Sequence, residues 1–367
     1  MGRKKATVNF EIEHMDPLGQ GVSRDGKLVA FIAATLPGET GSASVYKKSK
    51  GVQFAKLESL EKHADNRCEP NCPHFQQCPG CQYLHTDYAS ELQYKQSALA
   101  RHLAPLEIPE ASIDLVPAPR RLAYRNRVQL HYRHKYIGML DPVSNQVVEI
   151  PHCQIFRKAL QPAFDALYRD KSWTKEHTGH GHCELYVREG DVSEQWNGDY
   201  SHGGFSQVYE EMNRELQARV QKQLRDLSAG SVLDLFSGRG NLSNDFSATG
   251  GDRVLVDSYW GDDSQAPEYF LKLDLYGEDA LKLFLRRIGK KTFDTLVVDP
   301  PRRGFPDLDN WVKKIKPKHL LYVSCNPASL ARDLRSLSSK YRLGEVQLLD
   351  LFPATYHFET LVLLHFR

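Results

Sequence analysis

Two things are missing from this sequence: long apolar runs and an excess of charge of one sign. No stretch reaches the ~20 apolar residues that a membrane-spanning helix requires, and no apolar region follows the basic opening MGRKKATVNF, as it would in a secretory signal. The formal net charge is +2 over 367 residues, which neither requires nor excludes a nucleic-acid partner. We therefore expect a soluble cytoplasmic protein of two or three domains, without membrane spans.

Cysteine is scarce and crowded into one segment. The chain has 7 cysteines, of which Cys68, Cys72, Cys78 and Cys81 follow one another closely. In a cytoplasmic protein such crowding favours a metal site over disulfides. Zinc is one candidate, because Cys68 lies four residues before Cys72 and could complete a tetrahedral site. Cys183, in HTGHGHCEL, is predicted to be a strand residue flanked by surface histidines.

The first sixty residues have the pattern of a small β-barrel. Short β-type segments such as LVAFI and GSASVYKK alternate with Gly-containing turns such as PLGQG and PGETG. The basic cluster KKSKGVQFAK falls within this region. Such a module suits an OB-like nucleic-acid binder, whose strands contact RNA through basic and aromatic side chains. A β-domain without that role fits the pattern equally well.

The remainder of the chain divides at about Phe205. Residues 122–200 mix β-type segments with a helical one and predict an α+β region. After Phe205 an amphipathic helix, EEMNRELQARVQKQLRDL, precedes the apolar segments SVLDLF, DRVLVD, FDTLVVD, HLLYVSC and ETLVLLHF. Strands that alternate with helices predict a parallel, doubly wound α/β sheet.

The ends of the first predicted strands favour an adenosine-containing cofactor. Gly238 and Gly240 allow a tight turn after SVLDLF, where Asp234 could orient the loop. The third glycine of the dinucleotide fingerprint is absent, which argues against NAD. Asp257 ends the second strand, where a carboxylate would bind a ribose, and Asp274 could bind an adenine amine. The set favours S-adenosylmethionine (SAM), although each acid alone could simply cap a turn.

Two later strand ends carry the candidate chemistry. Asp299 leaves its strand directly before two prolines, and Cys325 ends the next strand just before a helix that can begin near Pro327. Helix-terminal amides are expected to lower the pKa of this thiol. Carbon 5 of a pyrimidine becomes nucleophilic only after something adds to carbon 6, so a Cys325 thiolate and a base at Glu359 would suffice for methylation. An inert buried cysteine and a strand-edge carboxylate are the alternatives.

These segments together resemble a known family. SCNPASLARD, DPPRRG, LDLFSGRGN, HFETLVLL and FSQVYEEMN are similar to the RNA 5-methyluridine methyltransferases, and CPHFQQCPGCQ resembles their iron–sulfur branch, which acts on ribosomal RNA. The resemblance implies a TRAM (OB-like) RNA-binding domain at 1–62, an iron–sulfur segment with a central α+β domain at 63–204, and a Rossmann-like SAM-dependent methyltransferase domain at 205–367.

The resemblance also implies a role for individual residues. Cys325 would be the nucleophile, Glu359 the base, and Asp299 would lie beside the uracil and the cofactor. Contacts to SAM are implied for Gln207, Phe236, Gly238, Asn241, Asp257, Asp274 and Asp299. A 4Fe-4S cluster is implied on Cys72, Cys78, Cys81 and Cys153, with zinc as the alternative metal. Arg302 occupies the position at which related 5-methylcytosine enzymes carry a second cysteine, so the resemblance favours uridine.

The implied activity is SAM-dependent methylation of carbon 5 of uridine in large-subunit (23S) ribosomal RNA. Methylation of transfer RNA by the same chemistry is one alternative. A non-catalytic RNA-binding protein is another, because the segment VLVDSYWGDDSQAPEYF is shorter and less regular than the Gly-Val-Glu strand and helix typical of the family. No heptad repeat or apolar stripe suggests an obligate oligomer, and a monomer is expected.

Overall fold

A computed structural model of the chain describes residues 6–188, 190–198, 207–249, 251–260, 265–289 and 291–367. The chain forms two compact units. The first comprises Met1–Ala98, Arg120–Tyr200 and Phe352–His357, and the second comprises Leu99–Pro119, Ser201–Leu351 and Phe358–Arg367. In the part of the chain that is described, no helix combines the length and the apolarity needed to span a membrane. The predicted boundary at 204/205 falls outside the described residues.

The first unit begins with a sheet of short strands. Its members within the described residues are β1 (Thr7–Glu11), β2 (His14–Met15), β3 (Gln20–Asp25), β4 (Leu28–Ala33), β5 (Thr40–Ser49) and β6 (Val52–Lys62), in the spatial order β1-β5-β6-β4-β3-β2. Alternate residues such as Ala43 and Val45 of β5 point to an apolar core with Ile32 and Ala55. The predicted β-type segments are confirmed, but β3 was not predicted, because its sequence QGVSRD is polar and begins with a glycine turn.

The rest of the first unit is a second sheet with a helix against it. Along the chain come α1 (Tyr88–Leu103), which the two units share, and β7 (Ile113–Val116), which belongs to the second unit. The elements that follow in the first unit are β8 (Arg127–Arg133), β9 (Tyr136–Leu140), β10 (Val147–Val148), α2 (Gln161–Arg169), β11 (His180–Arg188) and β12 (Asp191–Trp196). The sheet has the order β10-β9-β8-β11-β12. Leu130, Cys183 and Leu185 from its strands form a core with Phe164 of α2. The predicted α+β character is confirmed. Cys183 is a buried strand residue, as expected.

The second unit contains the predicted α/β arrangement. Its further elements are α3 (Glu210–Asp226), β13 (Ser231–Leu235), β14 (Asp252–Asp257), β15 (Phe270–Lys272), α4 (Ala280–Ile288), β16 (Thr295–Val298), α5 (Leu308–Ile315), β17 (His319–Ser324), α6 (Pro327–Leu337), β18 (Tyr341–Leu349) and β19 (Glu359–Phe366). Short 3-10 helices occur in both units, at Ala104–Leu106, Glu110–Ser112, Lys158–Leu160, Ser172–Lys175 and Asn244–Thr249. As far as the chain is described, the sheet has the order β15-β14-β13-β16-β17-β19-β18-β7.

The prediction of an entirely parallel sheet is wrong for the last strand. β13 pairs in parallel with β14 and β16, and β16 with β17. β19, however, lies between β17 and β18 and runs antiparallel to both. A parallel strand would need a crossover connection between β18 and β19, whereas residues 350–358 form a short return without a helix. β7 and β18 were also not predicted, and they pair in parallel at the edge of the sheet.

This topology decides where the candidate site lies. The carboxyl ends of β13, β14, β16 and β17 share one edge of the sheet. Because β19 is antiparallel, its amino-terminal end lies at that same edge, with Thr360 opposite Ser324. The reversed strand therefore places Glu359 next to the loop that begins at Cys325.

Candidate functional site

The turn from β17 to α6 presents Cys325. Asn326 caps the helix, since its side-chain oxygen accepts the Ala328 N–H at 3.1 Å, and Pro327 occupies the first turn, where a missing N–H costs nothing. The Asn326 N–H donates to Ser324 Oγ at 3.1 Å. The sequence Ser-Cys-Asn-Pro thus forms a closed turn that leaves the Cys325 side chain half-buried at the edge of the sheet. The predicted helix start near Pro327 is confirmed.

The prediction that helix-terminal amides lower the pKa of the Cys325 thiol is wrong. Burial, followed by the nearby Glu359 and Asp299 carboxyls, raises the pKa of the Cys325 thiol to about 12. Arg302 and a backbone hydrogen bond act in the opposite direction but are outweighed. Helix-terminal amides therefore do not activate this thiol by themselves, because the acids of the same site disfavour a second negative charge.

Glu359 is almost entirely enclosed, with 4% of its surface exposed. Its Oε2 atom has no hydrogen-bond partner among the described residues. Burial, and then Asp299, raise the pKa of the Glu359 carboxyl well above its ordinary value, against the effect of Arg302. A buried carboxyl with an unpaired oxygen and a raised pKa is suited to proton transfer.

Asp299 interacts electrostatically with Cys325 and Glu359 and also with the acids Asp234 and Asp257. Its N–H donates to Leu235 O at 3.3 Å, which fixes the start of the DPPRRG loop against β13. Burial, together with Asp234 and Asp257, raises the pKa of Asp299 to about 7. Asp299 in turn raises the pKa of both Cys325 and Glu359. The structure thus brings the three predicted catalytic side chains into one electrostatically coupled group.

Asp333, which was not predicted as a site residue, holds the DPPRRG loop in place. This buried carboxylate accepts the Tyr322 hydroxyl and the Phe305 N–H, each at 2.6 Å. Gly304 has a φ of +71°, and a Cβ there would lie 2.5 Å from Asp333 Oδ2. The Asn326 amide also donates to Arg302 O at 2.7 Å. The signal that could have revealed this role is an acid on the buried side of the helix formed by PASLARDLRSL.

The glycine loop after β13 adopts the conformation that its sequence requires. Phe236, Gly238 and Gly240 all have positive φ angles, of +60°, +52° and +82°. A Cβ on Gly240 would lie 3.0 Å from Asn244 Oδ1, so this position needs a glycine. The Phe236 ring packs edge-on against Phe305 at 5.0 Å. The loop is thereby held next to the DPPRRG segment.

The acids at the strand ends have local hydrogen-bond partners. Asp234 accepts the Ser243 hydroxyl at 2.6 Å. Asp257 accepts the Gly238 N–H at 2.8 Å and therefore orients the glycine loop directly. Asp274 accepts the Tyr276 N–H at 3.0 Å and caps a turn. These contacts are the capping roles that we gave as the alternative, and they leave the proposed cofactor contacts of Asp257 and Asp274 as predictions.

Helix α3 supports the loop through side chains that were not predicted. Asn213 and Asn241 exchange two amide hydrogen bonds, of 3.1 and 3.0 Å. Gln217 donates to the backbone and the side-chain oxygens of Asn241, both at 2.9 Å. Gln207 is buried before the helix, while Phe205 and Ser206 of the FSQVYEEMN motif lie outside the described residues.

We expect Asp234→Asn to stabilise the protein at neutral but not at acidic pH. Burial raises the pKa of Asp234 from 3.8 to about 7, so the folded state holds a proton that the unfolded state releases between about pH 4 and 7. The wild-type protein loses stability over this range, by up to about 4 kcal/mol, whereas asparagine can still accept the Ser243 hydroxyl without that loss. Urea unfolding of both proteins at pH 4.5 and pH 8 checks this; a stability difference that is the same at both pH values contradicts it.

The predicted metal ligands of the first unit line one cavity. Cys72, Cys78, Cys81 and Cys153 all face a space of about 310 Å³. Burial, and then Cys153, Cys78 and Cys72, raise the pKa of the Cys81 thiol. Burial also raises the pKa of Cys153 to about 11, although its sulfur accepts the Ile155 and Phe156 N–H groups. Four thiols that are close enough to influence one another converge here from distant parts of the sequence.

A site for a single ion and a site for a cluster make different demands on these thiols. Among the residues that can be described, no group of three or more His, Cys, Asp or Glu side chains is arranged to hold one metal ion. Ligands of one zinc ion lie about 2.3 Å from it and therefore crowd together, whereas the thiolates of an iron–sulfur cluster bind separate irons. Cys68, the proposed fourth zinc ligand, is exposed and does not line the cavity.

Comparison with known proteins finds relatives in one family. Residues 282–367, which contain Asp299, Cys325 and Glu359, match the family model described as tRNA (Uracil-5-)-methyltransferase. The 23S rRNA (uracil(1939)-C(5))-methyltransferase RlmD of Shewanella frigidimarina is 27% identical over 439 aligned positions, covering 98% of this chain and 95% of that protein. Its counterpart in Shewanella woodyi is 28% identical, covering 98% and 96%. Over nearly its whole length the chain is thus similar to RNA 5-methyluridine methyltransferases. The resemblance inferred from the motifs is thereby confirmed.

A solved structure is similar in fold over nearly the whole chain. The Pyrococcus abyssi tRNA (uracil-54, C5)-methyltransferase, determined in complex with S-adenosyl-L-homocysteine, superposes with a TM-score of 0.68. It is 21% identical, and the match covers 97% of this chain and 100% of that one. At this identity the comparison shows the fold of this chain and says nothing of its substrate.

Proposed function

We propose that this chain transfers the methyl group of SAM to carbon 5 of a uridine in 23S ribosomal RNA, through a covalent bond from Cys325 to carbon 6. The observation that carries the proposal is the coupled group of Cys325, Glu359 and Asp299 at the carboxyl edge of the α/β sheet. The names of the Shewanella relatives support ribosomal RNA as the substrate and uracil 1939 as the first position to examine.

In the proposed reaction Cys325 is the nucleophile and leaving group, and Glu359 is the base. The Cys325 sulfur bonds to carbon 6, and the electron pair released at carbon 5 attacks the SAM methyl group, which leaves S-adenosylhomocysteine. Glu359 then takes the proton from carbon 5, the double bond re-forms, and the Cys325 thiolate is expelled. Burial, with a further contribution from Asp299, keeps the pKa values of both groups high in the free protein. The site would therefore depend on the cationic sulfonium of SAM for ionisation.

The cofactor would bind at the glycine loop. Phe236, Gly238 and Asn241 provide the loop, whose shape α3 and Asp257 maintain. We propose Asp257 as the ribose ligand and Asp274 as the adenine ligand. Gln207 and Asp299 would contact the methionine end of SAM, where the reacting methyl group must lie. Part of the segment after Asp257, residues 261–264, lies outside the described residues.

A 4Fe-4S cluster fits the cysteine cavity. Its ligands would be Cys72, Cys78, Cys81 and Cys153, whose thiols share one space and influence one another. A cluster has iron–thiolate bonds to four cysteines, which supplies a covalent link between the segment around Cys78 and the distant Cys153. Because methyl transfer moves no electrons, we assign the cluster a structural role. We retain zinc as the alternative that metal analysis would reveal.

The N-terminal sheet carries a surface that suits unpaired RNA bases. The Phe31 and Phe54 rings stack at 5.5 Å with an interplanar angle of 20°. Tyr46 lies 6.5 Å from Phe54 and is 48% exposed, and Lys47 Nζ lies 5.4 Å from the Phe54 ring. Aromatic faces beside lysines bind single-stranded nucleic acid by stacking and by charge. This surface supports the proposed TRAM domain at 1–62, which would be followed by a central domain at 63–204 and a methyltransferase domain at 205–367.

Phe54→Ala is expected to weaken RNA binding by roughly 5- to 100-fold, since one base stack contributes about 1–3 kcal/mol. Fluorescence anisotropy with a labelled fragment of unmodified 23S rRNA measures this change. Tyr136→Ala is the matched control, because Tyr136 is 47% exposed and has its own lysine, Lys135, 5.6 Å above the ring, but belongs to another sheet. Equal affinities for wild type and Phe54→Ala would show that RNA bases do not stack on this surface.

The substrate is tested by transfer of a labelled methyl group from SAM to unmodified RNA. We expect incorporation into 23S rRNA and recovery of the label as 5-methyluridine. Incorporation into transfer RNA alone would establish the alternative that the family model and the Pyrococcus structure name. A protein that binds RNA but transfers no methyl group would be a non-catalytic binder. A cytoplasmic location is part of the proposal, because the proposed substrate is ribosomal RNA. We also propose a monomer, because the sequence has no heptad repeat or apolar stripe that suggests an obligate oligomer.

A further inference from the structure

The cysteine cavity contains a polar atom that the proposed cysteine ligands do not account for. His74 lies two residues after Cys72 and lines the same space. Its Nε2 atom is buried and has no hydrogen-bond partner in the described part of the chain. A buried ring nitrogen without a partner loses the hydrogen bond that water would have given it. A group bound in the cavity could supply the hydrogen-bond partner of this nitrogen.

The local structure holds His74 in place. Its carbonyl accepts the Cys78 N–H at 2.8 Å and the Gln77 N–H at 3.1 Å, so the residue begins the turn that presents Cys78. Its ring lies parallel to that of His152, with centroids 6.4 Å apart and planes 20° apart. His152 directly precedes Cys153 and lines the same cavity. The His74 ring thus lies where the segment of Cys72 and Cys78 faces the segment of Cys153.

We propose that His74 donates an Nε2–H hydrogen bond to a sulfur atom of the cluster held by Cys72, Cys78, Cys81 and Cys153, and that this bond raises the reduction potential of the cluster. The inference rests on the proposed cluster. A reduced cluster carries one more negative charge than an oxidised one, so a hydrogen bond to its sulfur stabilises the reduced form more. His74 would be a positioning residue for the cluster and has no part in methyl transfer.

The test compares reduction potentials of anaerobically purified full-length proteins. Iron and acid-labile sulfide are first measured in the wild type, and the potential is then determined by redox titration with electron paramagnetic resonance of the reduced cluster. His74→Phe removes the donor and keeps a flat ring, while His74→Gln retains an N–H donor near the same position. His152→Phe is the matched control, since His152 is also next to a ligand and lines the cavity.

We expect His74→Phe to shift the potential to more negative values, His74→Gln to return it toward the wild type, and His152→Phe to shift it less than His74→Phe does. If His74→Phe does not retain its cluster, the comparison of His74→Gln with His74→Leu decides. The inference fails if both donor-free variants titrate like the wild type, or if His152→Phe causes the same shift as His74→Phe. Wild-type protein without iron and sulfide would instead overturn the proposed cluster itself.

Discussion

Replacement of Cys325 by alanine is expected to abolish methyl transfer. Without a sulfur nucleophile carbon 6 is not attacked, carbon 5 remains unreactive, and the SAM methyl group has no acceptor. Loss of a covalent nucleophile typically costs on the order of 10⁶-fold in rate, so we expect no detectable incorporation into unmodified 23S rRNA. Folding should be little affected, because the Cys325 side chain is only half-buried.

The control is Cys68→Ala, which removes an exposed thiol outside the cysteine cavity and is expected to leave the rate unchanged. Thermal unfolding of both variants establishes that they are folded, and methyl transfer is measured over the same range of RNA concentrations. A Cys325→Ala protein that still produces 5-methyluridine at a rate within tenfold of the wild type would exclude the covalent mechanism.

The second large effect is expected for Glu359→Gln, which should separate the first half of the reaction from the second. Glutamine has nearly the same shape as glutamate but cannot accept the proton from carbon 5. Addition of Cys325 and methyl transfer can still occur, whereas elimination cannot. Turnover should fall by roughly 10²- to 10⁴-fold, while a covalent complex of protein and RNA accumulates.

Denaturing gel electrophoresis with labelled RNA detects such a complex, and the double variant Cys325→Ala/Glu359→Gln should not form it. Glu278→Gln is the matched control, because Glu278 is an exposed glutamate of the same unit. If Glu359→Gln turns over like the wild type, another group removes the proton. If it loses turnover without accumulating a complex, Glu359 acts before the bond to carbon 6 forms.

Much of the site could be predicted because it consists of strand ends. The apolar segments before Asp299 and Cys325 form strands as expected, and Pro327 marks the start of α6. In a parallel sheet, successive strand ends share one edge, so sequence order alone brings these residues together. The glycine loop likewise follows from residues that tolerate positive φ.

Other features depend on long-range packing that local patterns do not encode. The antiparallel placement of β19 depends on the short return from β18, and β7 joins the sheet by pairing with β18. The raised pKa of Cys325 depends on burial and then on Glu359 and Asp299, which follow or begin two other strands. The sequence marks Asp333 as an acid on the buried side of a predicted helix, but its role in the site follows from its contacts with Tyr322 and Phe305.

The covalent bond itself can be observed directly. RNA that carries 5-fluorouridine at the target has no proton on carbon 5 for Glu359 to remove, so the adduct formed after methyl transfer cannot eliminate. Mass spectrometry of the digested complex should find the methylated 5-fluorouridine attached to the peptide that contains Cys325. Attachment to another residue, or free methylated product without any adduct, would contradict the central claim that Cys325 is the nucleophile of a uridine C5 methyltransferase.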